Sequence, residues 1–379
     1  MPFIWSYADN ADRGYGIFKS NVFKVLEENG WKTRLARIDL LHPNFRTRLL
    51  EDLLRSDPDW MLLINQSAQQ FYEYLNIPSQ YLPLRQKKLI WYLDDPHFFV
   101  DRTFERDEIV LCFDETYLEY LQSWQPAAVI FLPLAADMES GGEYREEFAC
   151  DVCFVGGVID QSGRRSQLNE TMQKYVDHLV ELKLQQRDKD FYELAAENPI
   201  APGKGITITP PVAHYLYWEA NNRYRVQTLE ALQNYDLRIY GNEDWQVVLQ
   251  HSPLQEKFYG SAHPVHDLPH IFSSARVNLN LHSVQCMGSL NQRDFNAPLA
   301  GGFLLSDWTP AAGKYFIPGK EAIYWSQIDD LKAKIEYYLN HRDERLEVIR
   351  QGRERVLWEH TYGMRVSRLL DILQSGVTD

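Results

Sequence analysis

The chain has 379 residues, 45% of them hydrophobic, which is ordinary for a globular protein and enough for roughly two or three domains with substantial cores. The net charge of −14 excludes a nonspecific nucleic-acid binder, whose surface would be basic, yet leaves room for a local basic pocket. No apolar run reaches the length of a bilayer span, and Met1–Tyr7 enters a strand-like run without a basic leader, so neither a transmembrane segment nor a signal peptide is expected.

Phe3–Tyr7 reads as a first strand, followed by a polar loop over Ala8–Gly16 and a helix over Ile17–Asn29 that Gly30 ends. Further strands are expected at Thr33–Leu40, Trp60–Asn65, Lys88–Leu93, Ile109–Phe113 and Val129–Leu132, with helices such as Phe45–Arg55 and Glu115–Ser123 between them. This alternation predicts βαβ units, a parallel sheet and right-handed crossovers. The first domain therefore covers 1–137, and a polar linker with Gly141-Gly142 covers 138–148.

A second sheet starts at Asp151–Val158. Asp160–Arg165 reads as a loop, Ser166–Glu197 as a long helical region and the proline-rich Asn198–Pro211 as a loop, so that about 167–211 forms a helical insert. Helix follows over Tyr215–Asn234, then strands at Asp236–Gly241 and Lys257–Gly260, and a short helix at Leu268–Ser274. Arg276–Leu281 is the central strand, followed by a glycine- and amide-bearing loop, a short helix and a strand at Gly302–Leu305. Glu321–Trp325 is the last strand, and Ile328–Asn340 and Glu344–His360 are helices. The second domain runs from 149 to 360, and a final helix lies within 361–379. No internal repeat or low-complexity segment is present.

Four cysteines in a chain this long are not a disulfide framework. Cys150 and Cys153 have no second pair for zinc and, in a strand, are expected to face opposite ways as buried thiols. This usage points to a cytoplasmic location.

Open α/β sheets bind ligands beyond the C-terminal ends of their strands. Several segments occupy such positions. Gly156 and Gly157 are a phosphate-loop candidate, with Arg164 and Arg165 close behind; a turn and surface arginines are the alternative. The loop Asn291–Asn296, with Arg293 and Asp294, can turn backbone N–H groups toward a phosphate, and Arg293 can add a bidentate fork. An ordinary βα connection, with Arg293 in a structural ion pair, explains the same residues equally well. Tyr240-Gly241 and Tyr259-Gly260-Ser261 end two successive strands, where the glycines also suit a simple turn. Asp94-Asp95-Pro96-His97 directly follows a strand, and either Asp95 or His97 is placed to deprotonate an acceptor hydroxyl. Strand termination and helix capping are the competing role. Asp9 and Asp12 in the first loop are second candidates.

The segments NLNLHS from Asn278, RDFNAPLAGGFLLSD from Arg293 and FIPGKEAIYW from Phe316 resemble the C-terminal half of the CgeB-like (spore-maturation protein) glycosyltransferases, relatives of the group-1 glycosyltransferases. GRERVLWEHTYGMRVSRLL from Gly352, FLPLAAD from Phe131 and WYLDDPHFF from Trp91 fit the same pattern, so the resemblance covers most of the chain. It implies an α/β protein of GT-B type, with two Rossmann-like domains facing across a cleft and the last helix crossing back to the first domain. It implies a nucleoside-diphosphate sugar as donor substrate, UDP-linked in our reading, with no separate cofactor and no metal. The acceptor stays open between glycan, protein and small molecule. By the resemblance, Arg164 or Arg165 contacts the diphosphate, and the Tyr259–Ser261 loop contacts the base. The group-1 relatives put a ribose-binding glutamate where this chain has Asn296, an uncharged amide, so Asp294 or Glu321 becomes the acidic candidate. Two rivals stay open: a non-catalytic binding or assembly protein of the same fold, which Asn296 favours, and a nucleotide-sugar epimerase.

Overall fold

A computed structural model of the chain describes residues 1–9, 15–78, 82, 84–99, 104–105, 107–138, 141–200, 208–286 and 288–374. Asp12 and most of the first-strand loop lie outside the described residues. The chain divides into two compact units, one of residues 1–137 and 360–379 and one of residues 138–359.

The first unit is built on a parallel sheet. Its elements are β1 (Phe3–Asp9), α1 (Gly16–Glu28), β2 (Lys32–Ile38), α2 (Phe45–Ser56), β3 (Trp60–Ile64), α3 (Ala68–Leu75), β4 (Lys87–Tyr92), β5 (Glu108–Cys112), α4 (Leu118–Ser123) and β6 (Ala128–Phe131). The strand order is β2-β1-β3-β4-β5-β6, all parallel. The near-continuous apolar runs of β3 and β4 are what a strand covered on both faces requires. The sequence reading passed over α3, whose start is fixed by a reciprocal pair: Ser67 Oγ accepts from the Gln70 N–H while Gln70 Oε1 accepts from the Ser67 N–H.

The second unit begins with β7 (Cys150–Val155), α5 (Ser162–Arg165), α6 (Glu170–Gln185), α7 (Phe191–Glu197), α8 (Pro210–Glu230), β8 (Leu237–Tyr240) and α9 (Asp244–Val248). It continues through α10 (Leu268–Ser274), β9 (Ala275–Asn280), α11 (Gln292–Leu299), β10 (Leu304–Asp307), α12 (Ala312–Tyr315), β11 (Ile323–Trp325), α13 (Ile328–Asn340) and α14 (Arg342–Glu359). Its parallel sheet has the order β11-β10-β9-β7-β8, so the direction of winding reverses between β7 and β9. That reversal is where an open α/β sheet leaves a crevice. The core under it contains Val152, Phe154, Trp245, Val277, Leu279 and Leu305, all buried.

The final helix α15 (Tyr362–Gln374) belongs to the first unit. Tyr362, Val366, Leu369 and Leu370 join the core of Ile4, Phe18, Trp91 and Leu111. Arg365 donates from Nε to the Pro133 carbonyl at 3.2 Å, satisfying a loop that would otherwise bury a free acceptor.

Several expected elements differ. The Asp160–Arg165 loop contains the helical turn α5, and the long helix after Ser166 is broken between α6 and α7, where Asp190 caps the new start. Helix α8 begins at Pro210, inside the segment read as a loop, because proline is well suited to a first helical turn. Lys257–Gly260 is not a strand: Phe258 makes a single bridge to Ile239 after a short 3-10 turn. Cys150 and Cys153 do not diverge but share one cluster with Tyr240 and Ile271. The N–H groups of Asp151 and Val152 both bond the Asp236 carbonyl, at 3.1 and 3.0 Å, and this irregularity breaks the simple alternation.

Gly241 is needed for close approach. A Cβ there would lie 2.3 Å from the Gly156 carbonyl oxygen and 2.5 Å from Trp245 Nε1. Gly241→Ala is therefore expected to destabilise the protein by about 1–3 kcal/mol, read as a lower urea midpoint with an unchanged slope.

Candidate active site

The crevice of the second sheet is organised by side chains from the ends of β9 and β10 and the start of α11. His282, just beyond β9, is fully buried between two carboxylates. Its Nδ1 lies 2.6 Å from Asp307 Oδ1 and its Nε2 lies 2.8 Å from Asp294 Oδ2. Its backbone N–H also donates to Asp307 Oδ1, at 2.9 Å. A ring whose two nitrogens both face carboxylates is satisfied only as imidazolium, which has two donors. Burial alone would push its pKa down; the charges of Asp294 and Asp307 and their hydrogen bonds outweigh it and raise the pKa from 6.5 to about 10. Asp307 is held well below the ordinary carboxylate range: burial would raise it, but His282 and Arg187 outweigh that cost.

The same carboxylates tie α11 to the sheet. Asp294 Oδ2 accepts from the Asn291 N–H at 3.0 Å, and Asp294 Oδ1 accepts from Ser306 Oγ at 3.1 Å. Asn291 caps the helix, its Oδ1 accepting from the Arg293 N–H at 2.9 Å. Asn280, the last residue of β9, receives both Asn291 Nδ2 and Arg293 Nε at 3.1 Å. Asp307 Oδ2 accepts from Arg187 Nη1 at 2.8 Å and Tyr224 OH at 2.7 Å. His282 and Arg187 thus balance Asp294 and Asp307 charge for charge.

Two cations are left over. Arg225 of α8 is buried and donates from Nη1 to the Gly157 carbonyl, while its Nε has no hydrogen-bond partner. Arg293 at the start of α11 bonds Asn280. Neither makes an ion pair among the described residues, and the two repel each other. Burial, followed by the charge of Arg293, brings the Arg225 pKa down to about 9; burial also lowers that of Arg293. A buried and a half-buried guanidinium group, neither of them in an ion pair, beside a helix N-terminus form a strong attractor for an anion.

The sequence-predicted residues fall into two groups. The Gly156-Gly157 loop, Gly241 and the Tyr259–Ser261 loop come together: the Gly241 N–H bonds the Gly260 carbonyl at 3.0 Å, and the Gly156 N–H bonds the Tyr240 carbonyl at 2.9 Å. Gly157 reaches Arg225, which approaches Arg293 and through it Asn291. Tyr259 is exposed with the Arg238 guanidinium over its ring, at 4.9 Å, and Ser261 is exposed beside it. Tyr240 itself turns into the cysteine cluster.

Other expectations are corrected. The N–H groups of Gly156, Val158, Ile159 and Asp160 are taken by protein acceptors, so the Gly-Gly loop does not offer a row of free donors. Arg165 is held by both oxygens of Asp177, at 2.9 and 2.8 Å, and exposed Arg164 points to His214 at 3.0 Å. Asp294 is fully buried with its oxygens occupied, so it does not reach a ribose. Asn296 is 5% exposed on the inner face of α11. Glu321 precedes β11, at the opposite end of the strand from the crevice, and binds Arg355 at 3.0 Å and the Ile317 N–H at 2.7 Å. The sequence reading missed Arg225, Arg187 and His282.

In the first unit, Asp95 is buried after β4 and holds His97, with Oδ1 2.7 Å from Nδ1 and 2.9 Å from the His97 N–H. A carboxylate on Nδ1 directs the basic lone pair of a neutral imidazole to Nε2. Asp94 accepts from Asn65 Nδ2 at 2.8 Å and from Tyr15 OH. Asp9 ends β1 and accepts the Leu40 N–H at 3.2 Å. Lys19, also missed, is buried on α1 with Nζ 2.7 Å from the Tyr7 carbonyl, and burial lowers its pKa to about 7.

With this geometry in place, comparison with known proteins is informative. Residues 222–371, which include Arg225, His282, Arg293 and Asp307, match the model of the family described as Glycosyl transferase-like. No curated protein matches the chain. Among solved structures, it is similar to sucrose-phosphate synthase from Thermosynechococcus elongatus (TM-score 0.59, 9% identity, 99% of each chain covered). It is also similar to HepE of Anabaena in complex with UDP-glucose (TM-score 0.59, 8% identity, 99% of this chain and 100% of that one). A glycosyltransferase from Rickettsia africae gives a TM-score of 0.55 at 10% identity, over 100% of this chain and 99% of that one. At such identities the likeness establishes the fold, two Rossmann-like domains of GT-B type. Among the described residues, no helix is long and apolar enough to cross a membrane.

The His282 clamp has a pH signature. Its folded-state pKa lies above the unfolded value, so its contribution is complete below about pH 6.5 and is lost as pH rises through about 10. Between these limits the folded state holds about one more proton, a slope of ~1.4 kcal/mol per pH unit. Urea unfolding of the wild type minus that of His282→Asn is expected to show this falling difference; a flat difference would show that His282 is neutral in the fold.

Proposed function

We propose that the protein is a glycosyltransferase that moves a sugar from a nucleoside-diphosphate donor to an acceptor nucleophile. The observation that carries this reading is the pair Arg225 of α8 and Arg293 at the start of α11, two neighbouring guanidinium groups that make no ion pair among the described residues. A diphosphate supplies the missing charge, and the leaving group is stabilised by donors already in place before the reaction. The family match over residues 222–371 and the GT-B fold support glycosyl transfer. HepE is described with UDP-glucose, which supports a uridine nucleotide here. The CgeB-like subfamily is our finer assignment, on the segments around Trp91, Arg293 and Gly352. The chemistry assigned to these side chains needs no metal.

On the acceptor side, Asp95 orients His97, and Nε2 of His97 takes the proton of the attacking hydroxyl. Asp9 is the second candidate base, although one of its oxygens already serves the Leu40 N–H.

Donor binding is expected to be measurable by titration calorimetry and thermal shift with UDP, since a ligand specific for the folded state raises the midpoint. Arg225→Ala or Arg293→Ala is expected to weaken UDP by about 10- to 100-fold, a loss of ~1.5–3 kcal/mol for a charge-assisted contact. Arg293→Lys is expected to weaken it as well, because the planar fork is lost while the charge stays. A lower melting point with unchanged UDP affinity would assign these arginines to the fold alone.

His97→Ala is expected to cut turnover by about 10²–10⁴-fold with donor affinity and melting temperature nearly unchanged. Asp95→Asn is expected to act in the same direction by releasing the ring. Near-wild-type transfer in both variants would move the base to Asp9.

A further inference from the structure

A cavity of about 370 Å³ opens in the second unit beside the ends of β10 and β11, lined by Trp308, Tyr224, Gln227, Ser326, Gln327 and Arg187 among others. Trp308 is 48% exposed, unusual for an indole. It is nevertheless held in place: the backbone N–H of Trp308 donates to the Trp325 carbonyl at 2.8 Å, and the ring packs edge-on against Tyr324, with centroids 5.7 Å apart. The amides of Gln227 and Gln327 make no hydrogen bond within the protein among the described residues. Gln327 precedes α13 without using its side chain as a cap.

The cavity lining carries no net positive charge, although Nε and Nη2 of Arg187 have no hydrogen-bond partner. Arg187 is neutralised by Asp307 at 2.8 Å, and its guanidinium lies over the Tyr224 ring at 4.5 Å. The adjoining first turn of α13 carries Asp329 and Asp330. A rigid indole face, flanked by two amides and a hydroxyl in a site without net positive charge, suits a ligand with an apolar C–H face and a rim of neutral hydroxyls. We propose that this cavity is a saccharide site that takes a neutral hexose unit, stacked on Trp308 and hydrogen-bonded by Gln227 and Gln327. That this sugar belongs to the acceptor rests on the glycosyltransferase reading; the saccharide assignment does not. Asp307 connects the two regions, because Oδ2 faces Arg187 and Tyr224 while Oδ1 faces His282.

The test is fluorine NMR of the full chain labelled with 5-fluorotryptophan, with the Trp308 resonance identified from Trp308→Phe. Maltose, cellobiose, lactose and N,N′-diacetylchitobiose are titrated separately, and UDP is titrated on its own. At least one disaccharide is expected to move the Trp308 resonance saturably, also in Arg293→Ala. Gln227→Ala and Gln327→Ala, both exposed and foldable, are each expected to weaken that binding about 3- to 10-fold. A Trp308 resonance unmoved by all four disaccharides, or moved by them equally in the Gln227 and Gln327 variants, overturns the proposal. A saccharide response without UDP binding sustains the cavity assignment and removes the donor reading, so the two failures are distinguishable.

Discussion

The second unit depends on one buried cation. His282 lies between Asp294 and Asp307, and those carboxylates hold the α11 cap, Ser306, Arg187 and Tyr224. Remove the imidazolium and two buried carboxylates keep only Arg187 as a counter-charge, a costly arrangement in an interior. With it present, the start of α11 has a fixed position relative to β9 and β10. Arg293 therefore sits on a preorganised element, and its electrostatic use requires little rearrangement.

The charge balance explains why the crevice selects an anion. His282 and Arg187 are spent on Asp294 and Asp307, whereas Arg225 and Arg293 are spent on a carbonyl and an amide oxygen. Arg225 loses charge-stabilising solvent on burial, which its lowered pKa records, and half-buried Arg293 loses part of it. A ligand with two negative phosphates relieves both penalties together. An adjacent cavity built from Trp308 and two glutamines lacks that positive excess, so the same edge of one sheet offers two chemically distinct environments.

Much of the fold was legible because strands with apolar runs between turn residues announce themselves. Phe3, Trp60, Lys88, Ile109 and Asp236 all lie at or within one residue of an observed strand start. The winding reversal beside β7 follows from an order of strands that local pattern does not encode, and Phe258 contributes a single bridge where a short apolar run suggested a strand. The candidate site was partly legible. The Asn291–Asn296 loop stood out through its amides and Arg293. Arg225 did not, because it lies within a helix 68 positions from the Gly157 carbonyl it meets. His282 was visible in the sequence, but its significance depends on Asp307, 25 positions on, reaching the same ring. Asp294 and Glu321 were misread because sequence gives the residue type but not whether its oxygens are already occupied.

The central claim is that Arg225 and Arg293 together hold a diphosphate. The most direct measurement is a crystal structure of the protein with UDP bound. The account predicts phosphate oxygens within hydrogen-bond distance of both guanidinium groups, with His282 still between its two carboxylates. UDP bound elsewhere, with both arginines still facing Gly157 and Asn280 alone, would contradict it.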